Sequence, residues 1–265
     1  MAERTVERRP LVAGNWKMNL DHVEAIHLVQ ALALHLRAIE HGRLDVSIHP
    51  PFTDLRSVEG VIGADDLPII LGAQHASSYA AGAFTGEVSV AMLRRLGVQL
   101  VLVGHSERRQ LFAMDDDAVA ATTRAVLEGG LTPVICVGET QEQRDRGEMA
   151  EVLTAQVLAA LEGVPAADSD GIIVAYEPIW AIGTGVAATE EDAQEACRLI
   201  RQVLAGARGE VAHRIRILYG GSAKPENAGD LVTQADVDGL LVGGASLEAE
   251  SFAAIVGATA ACYGQ

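Results

Sequence analysis

Lysine is almost missing from this sequence. Its 20 cationic side chains comprise 18 arginines and only Lys17 and Lys224. Where any cation serves, arginine has taken the place, so a surviving lysine is expected to need a compact, point-like ammonium. Asparagine is equally scarce, confined to Asn15, Asn19 and Asn227. Aromatic residues reach only 4% beside 49% apolar residues, so the core has to be aliphatic rather than built from stacked rings. The three cysteines, Cys136, Cys197 and Cys262, are odd in number and lack CxxC or Cys/His ligand spacing. Neither disulfides nor zinc are implied, and packed, reduced thiols are expected. No run reaches the ~18 apolar residues that span a bilayer, and Met1-Ala2-Glu3-Arg4 lacks the apolar stretch of a secretion signal, so a cytoplasmic location is expected. Positive charge is in deficit, with a net charge of −16. Nucleic acid and anionic membrane surfaces are therefore disfavoured as partners, and an anionic ligand has to be attracted locally.

What is present is a repeat of strand and helix. Eight short β-branched or aliphatic runs recur: Leu11 to Ala13, Asp45 to His49, Ile69 to Leu71, Leu100 to Val103, Pro133 to Val137, Ile172 to Ala175, Ile215 to Leu218 and Gly239 to Val242. Helical periodicity fills the intervals, as in Val23 to Ile39, Asp117 to Leu127, Met149 to Leu161, Ala193 to Leu204 and Leu247 to Val256. Runs without apolar/polar alternation suit parallel strands covered on both faces. Eight uninterrupted units in 265 residues favour an α/β fold closed as a (β/α)8 barrel, with an open doubly wound sheet as the alternative before motifs are read. No linker-like stretch or composition shift divides the chain, so a single domain over residues 1–265 is expected.

Glycine and polar residues follow the strand runs, and barrel enzymes place their chemistry on that rim. The opposite rim shows little comparable chemistry. Lys17 sits just past the first run, where an ammonium can meet a developing oxyanion, and alternation along an extended chain would point Asn15 the same way. His105 opens a helical turn after the fourth run, and a helix N-terminus lowers a histidine's pKa, leaving a neutral ring able to donate to a carbonyl or enediolate oxygen. Glu177 ends the sixth run beside apolar Pro178-Ile179-Trp180, where desolvation would raise its pKa towards that of a general base. The uncharged stretch Pro178 to Gly185 reads as a lid that excludes water. Gly183 to Ala188 also fits G-x-G-x-x-A, but the residues between strand and glycines do not suit a dinucleotide turn. Gly221-Ser222 and Gly243-Gly244, after the seventh and eighth runs, can converge their backbone amides on one phosphate. The long segment Gln74 to Glu87, with Tyr79 and Phe84, suits docking to another subunit. Each residue alone also has a plainer structural reading: a surface lysine, an exposed histidine, a rim ion pair, a tight turn or a self-packed loop.

Taken together, Ala13 to Asn19, Gly104 to Arg109, Tyr176 to Gly185, Tyr219 to Ser222 and Asp238 to Leu247 resemble the signatures of the triosephosphate isomerase family, from Leu11 to about Phe252. The resemblance implies a TIM barrel, eight parallel strands ringed by helices, without cofactor or metal. It implies interconversion of D-glyceraldehyde 3-phosphate and dihydroxyacetone phosphate through an enediolate, as in glycolysis and gluconeogenesis. Glu177 would shuttle the proton. His105, Lys17 and Asn15 would stabilise the intermediate, and Glu107 would pair with Lys17. Gly183, Ser222, Gly243 and Gly244 would hold the phosphate. Gln74, His75, Thr85, Gly86 and Glu87 would enter a partner subunit in a homodimer. His75 stands where the family usually has Asn, and Ala223 where Val is common. Residues 1–9 are expected to form a flexible N-terminal extension. Two other readings remain: a paralogue isomerising a four-carbon sugar phosphate, told apart by relative rates, and an inactive barrel kept as a scaffold, which would be expected to lack the base or the lysine.

Overall fold

The aliphatic runs form strands because neighbouring backbones satisfy their amides and helices cover their outer faces. The structure is a computed structural model describing residues 8–37, 39, 43–182 and 188–263. Its strands are β1 (Leu11–Asn15), β2 (Asp45–His49), β3 (Ile70–Ala73), β4 (Leu100–Val103), β5 (Thr132–Val137), β6 (Ile173–Tyr176), β7 (Arg216–Tyr219) and β8 (Gly239–Val242). They pair in chain order, all parallel, and β8 closes on β1 with Gly14 opposite Val242. Outside them lie α1 (His22–Leu36), α2 (Leu55–Ala64), α3 (Val90–Arg95), α4 (Ser106–Leu111), α5 (Asp116–Glu128), α6 (Gln141–Asp145), α7 (Met149–Ala160), α8 (Glu190–Arg208), α9 (Ala228–Val232) and α10 (Ala249–Cys262). The alternative of an open sheet is thereby excluded.

Two apolar layers result. Leu11, Leu102, Val134, Ile173, Leu218 and Leu241 fill the barrel interior. The alternate strand residues, such as Val12, Ile48 and Val103, pack outward against the helices. Local signals start the helices: Asp21 with Glu24 on α1 and Thr189 with Asp192 on α8 form reciprocal capping boxes, each worth about 1 kcal/mol.

Arg8 and Arg9 correct the expectation of a flexible extension through residue 9. Arg8 is buried, its Nε donating to Asp238 Oδ1 at 2.7 Å. Arg9 reaches Asp45 and the Leu44 carbonyl. The N-terminal rim is also richer in charge than expected. Arg201 donates to both Asp236 and Asp238, and Asp238 Oδ2 accepts the Ile217 amide at 2.9 Å. Sequence reading missed this cluster because its members are 230 positions apart or less legibly placed, with no local pattern to join them. Of the cysteines, Cys136 and Cys197 are packed as expected, whereas Cys262 is exposed on α10.

Candidate active site

At the C-terminal ends of the strands lies a cavity of about 340 Å³ lined by Asn15, Lys17, His105, Glu177, Ser222 and Gly243 among others. Each is delivered by a different stretch of backbone. Asn15 is the last residue of β1, and there the chain leaves the extended conformation, since Lys17 has φ +54°. Strand alternation is therefore not what brings the two side chains together. Asn15 Oδ1 accepts the Lys17 amide at 3.0 Å, and Gln74 Nε2 donates to the carbonyls of Lys17 (2.7 Å) and His49 (2.9 Å). Left-handed backbone is costly for lysine, and these bonds hold it. The Lys17 ammonium pairs with Glu107.

Glu177 is set by its neighbours. Its amide donates to Val137 O at 2.8 Å, and Gly220 N donates to Tyr176 O at 2.7 Å. A Cβ on Gly138 would fall 1.8 Å from Glu177 O, so only glycine lets β5 approach so closely.

His105 caps α4 and brings its ring to the carboxylate: Nε2 lies 2.8 Å from Glu177 Oε1. Its Nδ1 accepts the Glu107 amide at 3.3 Å. Because that N–H can only donate, the neutral ring carries its proton on Nε2, facing Glu177. Burial lowers the His105 pKa, but the adjoining Glu177 carboxylate raises it, and the balance is upward while the two stay together. The helix start thus fixes the tautomer without producing the lowered pKa expected from sequence.

The expectation for Glu177 is likewise overturned in this arrangement. Burial pushes its carboxyl up, yet the His105 ring and the Ser106 amide, which donates to Oε2 at 2.9 Å, hold it below the usual carboxylate range. The Ser106 hydroxyl adds a third contact at 3.4 Å. Sequence reading saw the apolar surroundings but not these donors.

Ser222, Gly243 and Gly244 line the far side of the cavity, and among the described residues their backbone amides have no acceptor. Gly183 and the rest of the proposed lid from Thr184 to Gly185 lie outside the described residues. The stem before them is packed rather than loop-like. Ile179–Ala181 forms a 3-10 turn, and Trp180 Nε1 donates to Glu139 Oε1 at 2.8 Å. Tyr176 OH donates to the same oxygen, and the Arg144 guanidinium lies over the Trp180 ring at 4.3 Å. Glu139 is fully buried and was missed from sequence, although its place just after β5 is the strand-end position that marks barrel chemistry.

The segment expected at an interface divides. Gln74 is half-buried and works inside its own chain, on Lys17, while Thr85, Gly86 and Glu87 are exposed. His75 is largely buried, its Nε2 4.0 Å from Glu87. Burial and the nearby Arg108 cation depress its pKa to about 4, against the opposing pull of Glu87. Tyr79 and Phe84 are exposed and stacked on each other, centroids 3.9 Å apart.

Comparison with known proteins gives the family. The family model for triosephosphate isomerase matches residues 10–259. The triosephosphate isomerase of Mycobacteroides abscessus is 50% identical over 249 residues, covering 94% of this chain and 95% of that one. That of Saccharopolyspora erythraea is 50% identical over 246 residues, 92% and 94% of the two chains. The crystal structure of triosephosphate isomerase from Bartonella henselae superposes with a TM-score of 0.83 at 37% identity, covering 94% of this chain and 98% of that one. On these grounds the chain belongs to the triosephosphate isomerase family.

Proposed function

We propose that the chain interconverts D-glyceraldehyde 3-phosphate and dihydroxyacetone phosphate by proton transfer at Glu177. The observation that carries this reading is the 2.8 Å approach of His105 Nε2 to Glu177 Oε1 in a cavity that also holds the Lys17 ammonium. A carboxylate can take a proton from one carbon and return it to the next. The His105 Nε2–H and the Lys17 ammonium favour the negative charge that gathers on oxygen in between, and Asn15 adds an amide.

His105 has a single proton on Nε2, which Glu177 occupies, and a substrate oxygen needs that same proton. Substrate entry therefore displaces the carboxylate from His105 and Ser106. A carboxylate that stays buried while losing its donors becomes a stronger base, so binding itself raises the Glu177 pKa. The amides of Ser222, Gly243 and Gly244 suit the phosphate, with Gly183 a further donor proposed from sequence.

A homodimer is proposed as well. Met18 (94% exposed), Phe112 (65%) and Phe52 (38%) surround a second cavity of about 290 Å³ that also reaches Lys17 and His75. Such an apolar surface, and the exposed Tyr79/Phe84 pair elsewhere on the chain, call for cover, and a second copy supplies it. Sedimentation at micromolar concentration tests this, with a monomer as the contrary result. A cytoplasmic place in glycolysis and gluconeogenesis accords with this activity, and among the described residues no helix is long and apolar enough to cross a membrane. Rates on three- and four-carbon sugar phosphates test the activity; faster four-carbon turnover would replace this reading.

A further inference from the structure

One cation in the cavity has no part in the chemistry above. Lys224 lines it beside Ser222 and Gly243, and its side chain is exposed. No carboxylate among the described residues pairs with it, whereas Lys17, the other ammonium there, is paired with Glu107. Its backbone is nevertheless pinned. The Lys224 amide donates to Asn227 Oδ1 at 2.8 Å, and Asn227 Nδ2 donates back to Ser222 O at 3.1 Å. Lys224 O in turn accepts the amides of Asn227 and Ala228. The same device holds Lys17, whose amide is accepted by Asn15 Oδ1 at 3.0 Å. A chain with two lysines and three asparagines thus uses two asparagines to fix both lysines on one cavity.

We propose that Lys224 is a specificity-determining residue for the phosphate, an unspent ammonium that draws a doubly charged phosphate ester into the cavity against the field of the protein. The net charge of −16 repels such a ligand at a distance. Solvent weakens an exposed charge but does not cancel it, and a dianion feels it twice over. Ser222, which lines the cavity, is tied to the Lys224 backbone through Asn227, so the root of the lysine side chain is anchored beside the cavity while its ammonium stays free to reach an anion.

This inference rests on the isomerase reading, and its test separates the two. Lys224→Gln, at an exposed position, is expected to leave kcat within twofold while KM for the triose phosphates and the inhibition constant of inorganic phosphate both rise about five- to tenfold. The slope of log(kcat/KM) against ionic strength should become more positive, because an attraction that salt screens is gone while the repulsion remains, which a merely structural role would not cause. Lys224→Arg should restore all three. KM, the phosphate inhibition constant and the ionic-strength slope all within twofold of wild type in Lys224→Gln would overturn the proposal. Should the unaltered protein fail to turn over triose phosphates, the isomerase reading falls. A rise in its Tm with inorganic phosphate that Lys224→Gln loses would still support the cation, and a rise that Lys224→Gln keeps would refute it.

Discussion

At the N-terminal end of the barrel, Arg8, Arg201, Asp236 and Asp238 are gathered and answered by one another and by backbone groups. At the C-terminal end, Lys17, His105 and Glu177 are gathered just as closely but face a cavity of about 340 Å³. The ingredients are similar, and the difference is saturation. A charge cluster whose donors and acceptors are all used inside the chain can only hold the chain together. A cluster with amides that find no acceptor among the described residues, as at Ser222, Gly243 and Gly244, has capacity left for a ligand.

Breaking the comparison at its open end should have the largest effect. Glu177→Gln keeps the shape but not the base, so kcat should fall by about 10³- to 10⁴-fold with an unchanged circular dichroism spectrum. Activity within tenfold of wild type would mean another group takes the proton. At the closed end, Asp238→Ala strands Arg8 and Arg201 in a buried site, which should cost about 3–5 kcal/mol in urea unfolding while kcat of the folded protein changes little. A loss of kcat without loss of stability would erase the distinction between the two ends.

The open end should also be the acid-sensitive one. Burial holds His49 near a pKa of about 4, against an ordinary 6.5, and His75 is likewise depressed to about 4. Below pH 6.5 the unfolded chain binds protons that the folded chain refuses, so stability falls as pH drops towards 4. Each histidine contributes about 1.4 kcal/mol per pH unit in that window. Glu177, whose pKa is held down, acts in the same direction at lower pH, its contribution lost as pH falls through its folded value. His75→Asn should flatten the slope of unfolding free energy between pH 6.5 and 5, and an unaltered slope would show that His75 is protonated in the fold. The smallest effect is expected from Gln74→Ala. Losing its two bonds to the Lys17 and His49 carbonyls should lower kcat/KM about three- to tenfold with little change in Tm. An unchanged kcat/KM would show that these two bonds do not shape the site.

The open end was the more legible one in the sequence. Glu177, His105 and Lys17 follow aliphatic runs directly, so reading strand ends as a rim found them. All eight strands were likewise placed within a residue or two, because buried parallel strands are short, unbroken and aliphatic. Short helices such as α3 and α9 were not read, since one or two turns carry too little periodicity. The pairing of Arg8 with Asp238 was invisible because it joins the two ends of the chain. Protonation was the least legible property. Apolar neighbours of Glu177 can be read from Pro178-Ile179-Trp180, but the Ser106 and His105 donors that reverse their effect arrive from β4's far end, 71 positions away for Ser106.

The claim that Glu177 moves a proton between carbons of the substrate is tested most directly by isomerisation in deuterium oxide. Deuterium should enter the carbon that gains hydrogen when the unaltered protein turns over dihydroxyacetone phosphate, and Glu177→Gln should abolish that incorporation. Turnover that proceeds without any deuterium entering the product, at the same rate in both proteins, would contradict it.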